Sequence, residues 1–273
     1  MPRPIYILGQ IVHNRHTVEE LEKLGVRTLD GASRLDLIAG IDQGTIIFTA
    51  HGVSPAVRIE AKRKGLHTVD ATCPDVTRTH DLIRELADRD YQIIYVGKKG
   101  HPEPEGAMGE APNHVTLVES RADVATLDLK GPHLAVVTQT TLSQWDTQAI
   151  IEAIQARYPQ AEVFNEICLA TQQRQEAVAT QGREADVVLV VGDQRSNNSN
   201  RLVQVAREIA GRPAYLVGTV HDIDPAWLKG KEKVAVTSGT STPTAITREV
   251  IAFLEAYEPE AQSPDHPRAD GKV

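Results

Sequence analysis

Short apolar runs alternate with amphipathic stretches along most of this chain. Runs such as VVLVV and TIIF are apolar at consecutive positions, which is typical of parallel strands that are covered on both faces. Each run ends in a polar loop, and a helical pattern such as SQWDTQAIIEAIQARY or NSNRLVQVAREIAG follows. The alternation predicts an α/β protein with mainly parallel sheets, grouped into two or three similar domains.

Composition and charge narrow the class of protein further. The chain has 273 residues, of which 41% are hydrophobic and 24% charged, as in ordinary soluble proteins. Its net charge of -8 argues against a broad surface for nucleic acid or for an anionic membrane, although a local pocket can still bind a small anion. No run has the length of a signal peptide core or a membrane span, so we expect a cytoplasmic protein.

The standard cofactor and catalytic signatures are missing from the sequence. It contains no G-x-G-x-x-G, no Walker A motif, no H-E-x-x-H and no G-x-S-x-G. The string HPE resembles the H-x-E of zinc deaminases, but no P-C-x-x-C follows it. Nucleotide cofactors and the common hydrolase sites are therefore not supported.

Two cysteines and three histidines each follow an apolar run, at the point where a strand is predicted to end. They are Cys73, Cys168, His13, His51 and His101. Ligands of parallel sheets bind beyond the carboxyl ends of the strands, so residues from different strands can converge there. The cysteines can be packed thiols, a nucleophile or metal ligands. Each histidine alone is most simply structural, but together they favour metal ligation or anion binding.

Two loops are rich in hydroxyl and amide groups. Ser196, Asn197 and Asn198 open a helix after VVLVVGDQR, and Ser241 lies in SGTSTP after the last apolar run. Such residues are ordinary helix caps. Their number, together with the free N–H groups of a helix N-terminus, also suits a phosphate or diphosphate.

One acid and one hydroxyl complete the candidate set. Glu103 lies in HPEPEG, which we interpret as a loop stiffened by prolines, and it is a candidate proton donor beside a histidine. Thr140 lies in TQTT at another strand end. The candidate set thus contains neutral donors for an anion, one acid and two soft thiols. This combination indicates a metal- or cluster-dependent enzyme that acts on a small phosphorylated substrate.

These residues lie in strings that closely resemble the family of 4-hydroxy-3-methylbut-2-enyl diphosphate reductase. The strings are IVHN, AHGVSP, DATCPDVT, GHPEPEG, TQTT, EICLATQQRQEAV, SNNSNRL and TSGTSTP. They follow the family's order from residue 4 to about residue 256, and their sequences most resemble those of the Bacillus-type branch.

The resemblance implies three α/β domains around a central cavity, at 1–72, 73–165 and 166–258, followed by a disordered tail at 259–273. It implies an iron–sulfur cluster with Cys73 and Cys168 among its ligands. It implies proton delivery by Glu103, with Thr140 helping to position the substrate hydroxyl. The residues that it implies for the substrate's diphosphate are His13, His51, His101, Ser196, Asn198 and Ser241, with Asn197 where some members have serine.

The implied chemistry is a reductive dehydroxylation. A [4Fe–4S] cluster normally takes four cysteines, and with three thiolates one iron stays open for the allylic hydroxyl. A ferredoxin or flavodoxin would supply two electrons, and two protons complete the removal of the hydroxyl as water. The expected products are isopentenyl and dimethylallyl diphosphate, made in the methylerythritol phosphate pathway.

The sequence departs from the family in one motif. The family's first cysteine lies in R-G-[FY]-C-x-G-V, and nothing in this chain matches it. We expect one further βα unit of about 30 residues upstream of Met1, with the first domain incomplete without it. The alternatives are a shortened, non-catalytic homologue that binds diphosphates, and a zinc hydrolase built from the histidines and cysteines.

Overall fold

The computed structural model describes residues 1–31 and 33–258 of the chain, and these residues form three parallel β-sheets with helices packed on them. The predicted disordered tail at 259–273 lies outside the described residues. The predicted fold class is confirmed, because every strand pair described is parallel and strands alternate with helices. No helix within the described residues is long and apolar enough to cross a membrane.

The first sheet has the strand order β2-β1-β3-β4. Its strands are β1 Ile5–Leu8, β2 Val26–Leu29, β3 Thr45–Phe48 and β4 His67–Asp70. The helices that follow these strands in turn are α1 Arg15–Lys23, α2 Arg34–Ala39, α3 Pro55–Arg63 and α4 Pro74–Asp88. Its apolar core includes Leu8, Ile38, Ile46, Phe48 and Val57, all buried. This packing fixes the directions in which the loops after β1 and β3 leave the sheet.

The second sheet repeats the arrangement in the order β6-β5-β7-β8. Its strands are β5 Gln92–Val96, β6 Val115–Val118, β7 Leu134–Thr138 and β8 Glu162–Phe164. The helices after them are α5 Pro102–Glu110, α6 Arg121–Thr126, α7 Gln144–Arg157 and α8 Leu169–Gln181. Alternate residues of β5 belong to two separate apolar clusters, so this strand is covered on both faces.

The third sheet has the order β10-β9-β11, with β9 Val187–Val191 at its centre. The other elements are β10 Ala214–Val217, β11 Val234–Ser238, α9 Asn197–Glu208 and α10 Thr244–Glu255. All five residues of β9 are buried, as the run VVLVV predicts. Two edge strands, β2 and β6, are not among the apolar runs that the sequence pattern identifies. Both have only four residues, and polar residues interrupt their apolar positions in VRTL and VTLV.

Side-chain caps begin several of the helices that border the polar loops. Asn14 accepts hydrogen bonds from the backbone N–H groups of His16 and Thr17 and so begins α1. Ser143 and Ser196 cap α7 and α9 in the same way. These caps fix where each loop ends, and therefore which way the loop side chains point.

Candidate functional site

Three histidine rings from two sheets meet at one point. His13 follows β1, His51 follows β3 and His101 follows β5. The ring centroids of His13 and His51 are 4.3 Å apart, and each lies 5.1 Å from the centroid of His101. The Ala50 N–H donates to the Ile11 carbonyl at 3.0 Å and holds the first two loops together. The structure thus brings together the three histidines that the sequence places at strand ends.

Hydrogen bonds fix the tautomer of His101. This residue caps α5, and its Nδ1 accepts a hydrogen bond from the Glu103 backbone N–H at 3.2 Å. The Gln139 side-chain amide lies 3.1 Å from the same nitrogen, and Gln139 is itself held because its carbonyl oxygen accepts from the Lys98 N–H at 2.9 Å. With Nδ1 acting as an acceptor, the ring proton belongs on Nε2, which becomes a donor.

The three imidazoles are uncharged near neutral pH. Burial lowers the pKa of His101 to about 3, with smaller contributions from His13, Lys98 and Arg34. Burial also lowers the pKa of His51 well below its usual value, and that of His13 less strongly. Each ring therefore offers a neutral N–H donor rather than a positive charge.

Glu103 lies in a helix, which corrects our interpretation of HPEPEG as a loop. Pro102 is the first residue of α5, where its missing N–H costs nothing, so the prolines start a helix instead of stiffening a loop. Glu103 is 1% exposed. Its Oε1 accepts from the Thr140 N–H at 2.6 Å, and its Oε2 accepts from the Thr140 hydroxyl at 3.1 Å. Burial raises the pKa of Glu103 to about 7 despite these bonds, which suits proton transfer at neutral pH.

The helix α9 begins with a cluster of buried polar groups. Ser196 caps the helix by accepting from the Ser199 N–H at 3.2 Å. Both polar side-chain atoms of Asn198 and the Ser199 hydroxyl are buried without a hydrogen-bond partner among the residues described. Leaving such groups unpaired costs about 1–3 kcal/mol each, so they are available for a ligand at small further cost.

Two residues of the predicted diphosphate set already make contacts across the site. The Asn197 amide donates to the Thr141 carbonyl at 2.8 Å and joins α9 to the second sheet. The Ser241 hydroxyl donates to the His13 carbonyl at 3.2 Å and joins the third sheet to the first. These contacts bring the loops of the third sheet to the histidines.

The two cysteines lie at equivalent corners. Cys73 precedes α4 and Cys168 precedes α8, and both are free and partly exposed. The Cys73 N–H donates to the Ala50 carbonyl and the Cys168 N–H to the Thr140 carbonyl, each at 3.0 Å. The backbone thus ties one thiol beside His51 and the other beside Thr140. Over 1–31 and 33–258, no group of three or more His, Cys, Asp or Glu residues is arranged to hold a metal ion.

Sequence reasoning missed an ion pair between a buried arginine and a partly exposed glutamate. Arg34 is 8% exposed, and its Nη1 donates to Glu105 Oε2 at 2.5 Å. Nothing in the string SRLDLIAG distinguishes this arginine from a solvated one. Its burial depends on tertiary contacts such as the one with Glu105, which no local pattern reports. Glu105 is part of HPEPEG, but its partner could not be identified from that string.

Three parallel sheets whose strand ends share one polar site define an α/β protein with a candidate anion-binding and acid–base centre. A sequence model of one family, described as LytB protein, matches residues 1–255. The chain belongs to the LytB protein family.

Curated relatives carry one enzyme name. The chain is 69% identical to the 4-hydroxy-3-methylbut-2-enyl diphosphate reductase of Symbiobacterium thermophilum, over 96% of this chain and 89% of the relative. It is 57% identical to the protein of that name from Bacillus subtilis, over 96% of this chain and 84% of the relative. These findings confirm the resemblance drawn from the ordered strings.

Solved structures of similar proteins carry equivalent names. The E-1-hydroxy-2-methyl-but-2-enyl-4-diphosphate reductase from Plasmodium falciparum is similar with a TM-score of 0.87 and 37% identity, covering 93% of this chain and 79% of that one. A second solved structure, called the terminal enzyme of the non-mevalonate pathway, has a TM-score of 0.65 and 31% identity, with coverage of 92% and 88%. The likeness therefore extends to the fold over nearly the whole chain.

Proposed function

We propose that this chain catalyses the reductive dehydroxylation of 4-hydroxy-3-methylbut-2-enyl diphosphate to isopentenyl and dimethylallyl diphosphate. The observation that carries the proposal is the meeting of three neutral histidines beside a buried Glu103 whose pKa is about 7. The relatives' shared name supports it. The reaction consumes two electrons and two protons and releases the allylic hydroxyl as water.

The diphosphate is bound by neutral hydrogen-bond donors and by the N-terminus of α9. The His101 Nε2–H and the buried Asn198 amide can each donate a hydrogen bond to the diphosphate. Free N–H groups at a helix N-terminus also favour anions. The residues assigned to diphosphate binding are His13, His51, His101, Ser196, Asn197, Asn198 and Ser241.

Glu103 delivers the proton that turns the leaving hydroxyl into water. At a pKa of about 7 a large share of this carboxyl is protonated at neutral pH, so it can donate as the carbon–oxygen bond breaks. The Thr140 hydroxyl and N–H hold the carboxyl in place, and both can still donate hydrogen bonds to it after it has lost its proton. The second proton is taken up by an allylic carbon, and its position decides which of the two products forms.

Cys73 and Cys168 suit an iron–sulfur cluster as two of its ligands. Both thiols are free, partly exposed and placed at helix N-termini, where negative charge is favoured. Each is fixed by a backbone hydrogen bond to a loop that carries a site residue. When bound, a [4Fe–4S] cluster with an open iron would supply electrons singly and a Lewis acid for the hydroxyl. A ferredoxin or flavodoxin is the proposed electron donor.

Anaerobic purification of the protein, with any upstream extension of its reading frame included, followed by measurement of iron, sulfide and product formation, tests the proposal. We expect iron and sulfide in the unmodified protein, and a loss of both in Cys73→Ser and Cys168→Ser. Both variants should keep binding inorganic diphosphate in calorimetry, because neither thiol is assigned to that ligand. A complete protein that holds no iron, or that holds zinc in its place, would contradict the proposal.

The non-catalytic diphosphate binder is not favoured, because relatives up to 69% identical are named as the reductase. Product formation by the reduced protein separates the two functions directly. We also propose a cytoplasmic location, which fractionation of cells that express the gene would check.

A further inference from the structure

The guanidinium of Arg34 lies behind the loops that carry His13 and His51. Arg34 is the first residue of α2, and its side chain is 10% exposed. Its Nη2 lies 3.2 Å from the point that a Cβ on Gly9 would occupy, and the Thr49 methyl lies 3.9 Å from the same point. Gly9 follows β1 and Thr49 follows β3, so the cation lies where both histidine loops begin.

The same guanidinium reaches the helix that follows the third histidine. Its Nη1 donates to Glu105 Oε2 at 2.5 Å, and the Arg34 N–H donates to Oε1 at 3.3 Å. Glu105 lies in the first turn of α5, which His101 caps. Arg34 therefore lies beside Gly9, which begins the His13 loop, and is bonded to the helix that His101 caps.

The pair is unequal in its exposure to water. The Glu105 side chain is 36% exposed, against 10% for Arg34, so solvent screens the carboxylate more than the cation. The Arg34 Nε is also buried with no acceptor within the part of the chain that the structure describes. A buried cation with an unused donor and a screened partner leaves positive potential toward the protein interior.

The histidines themselves cannot supply that potential. Their lowered pKa values leave them neutral, and the charge of Arg34 contributes to the lowering at all three rings. Arg195 acts in this way on His13 alone, and Lys98 on His101 alone. Of these three cations, Arg34 is the one that lowers the pKa of all three rings.

We propose that Arg34 is the fixed positive charge that attracts the substrate's diphosphate to the three histidines, with Glu105 limiting its strength. The inference rests on the proposed function, since it assumes that a diphosphate binds there. A different role, as a structural pin between α2 and α5, makes other predictions. If the pair is structural, substitution of either Arg34 or Glu105 should weaken diphosphate binding. If the charge of Arg34 attracts the anion, loss of the Arg34 charge should weaken binding and loss of the Glu105 charge should strengthen it.

Calorimetric titration with inorganic diphosphate and with isopentenyl diphosphate tests this inference. The variants are Arg34→Met, Arg34→Lys and Glu105→Gln, with Arg63→Met as the control. Arg63 is paired with Glu60 on α3, and its side chain is 67% exposed, so this control removes an equal charge away from the histidines. Thermal unfolding of each variant reports whether the fold is kept.

We expect Arg34→Met to raise the dissociation constants of both ligands by about tenfold. The loss of one partly buried positive charge near a bound anion typically has an effect of that size. Arg34→Lys should stay within about threefold of the unmodified protein, and Glu105→Gln should bind about threefold more tightly. Arg63→Met should bind like the unmodified protein.

Equal losses in Arg34→Met and Arg34→Lys, or weaker binding by Glu105→Gln, would overturn the inference while leaving the proposed function intact. If Arg34→Met does not fold, the direction of the Glu105→Gln change still decides. If the unmodified protein binds neither diphosphate, the inference and the proposed function fail together.

Discussion

The helix α5 carries two buried glutamates with opposite properties. Glu103, in its first turn, accepts hydrogen bonds from the neutral Thr140 only, and its pKa is raised to about 7. Glu110, its last residue, is paired with His80 at 2.8 Å and Arg84 at 2.9 Å. Burial opposes ionisation of Glu110 as well, but its hydrogen bonds with His80 and Arg84 hold its pKa below the usual value.

The comparison separates burial from pairing. The Glu110 side chain is only 2% exposed, so both carboxyls have little contact with water. What differs is the charge of the donors: an arginine at one end of the helix, and an amide and a hydroxyl at the other. A carboxyl that gives and takes protons needs the second arrangement, and one that anchors a helix needs the first.

Glu103→Gln should have the largest effect, on catalysis. The amide keeps the shape of the side chain and can still bond to Thr140, but it carries no proton to give. We expect the rate of product formation to fall by about 10²–10⁴-fold. Diphosphate affinity in calorimetry should change little. Comparable activity in this variant would show that the proton comes from elsewhere.

Glu110→Gln should have its main effect on stability. The substitution removes the charge that His80 and Arg84 face, and hydrogen bonds to charged groups contribute about 1.5–3 kcal/mol each. We expect the free energy of unfolding in urea to fall by about that amount at pH 7. Because Glu110 is not assigned to the reaction, the rate should stay within a few-fold. A rate loss as large as that of Glu103→Gln would break the contrast.

The two glutamates should also give opposite dependences of stability on pH. A raised pKa means that folded Glu103 binds more protons than the unfolded chain, so its contribution falls as pH rises from about 4.5 to about 7. At pH 8 the free energy of unfolding of Glu103→Gln should therefore exceed that of the unmodified protein by about 3 kcal/mol, and the difference should vanish near pH 4.5.

Glu110 contributes in the other direction. Its lowered pKa gives stability that is present above the usual glutamate pKa and is lost as pH falls below it. Urea titrations of both variants from pH 3.5 to pH 8 measure the two trends. Parallel curves for the two variants would mean that their environments do not differ as described.

Thr140→Val should have the smallest effect. It removes the hydroxyl that donates to Glu103 Oε2 but keeps the backbone N–H bond to Oε1. Because that hydroxyl bond lowers the pKa of Glu103, the pKa should rise further, by about half a unit to one unit. The apparent pKa of the alkaline limb of the pH–rate profile should rise by the same amount. Thr140→Ser keeps the hydroxyl and should leave the limb in place.

Features that depend on where strands end could be predicted from the sequence. The histidines follow apolar runs, and parallel strands present their carboxyl ends on one edge, so the meeting of His13 and His51 follows from the pattern. His101 follows a strand of the second sheet, and its approach depends on how the two sheets pack. The edge strands β2 and β6 give no such signal, because polar residues interrupt the apolar positions of VRTL and VTLV.

Features that depend on how helices pack could not be predicted. The burial of Glu103 follows from a helix that begins at Pro102 and packs beside TQTT, and HPEPEG is compatible with a loop as well. Arg34 and Glu105 lie 71 residues apart and meet only in the folded chain, where the first residue of α2 reaches the first turn of α5. The pKa values that give the site its chemistry depend on these tertiary contacts.

The hydrogen bond from Ser241 to His13 joins residues 228 positions apart. Each sheet, in contrast, draws its strands from one continuous stretch of chain, so the sheets can form in turn as the ribosome releases them. The polar centre is complete only when the last stretch has emerged and docked. The candidate site can therefore assemble only late in synthesis, after the stretch that carries Ser241 has been made.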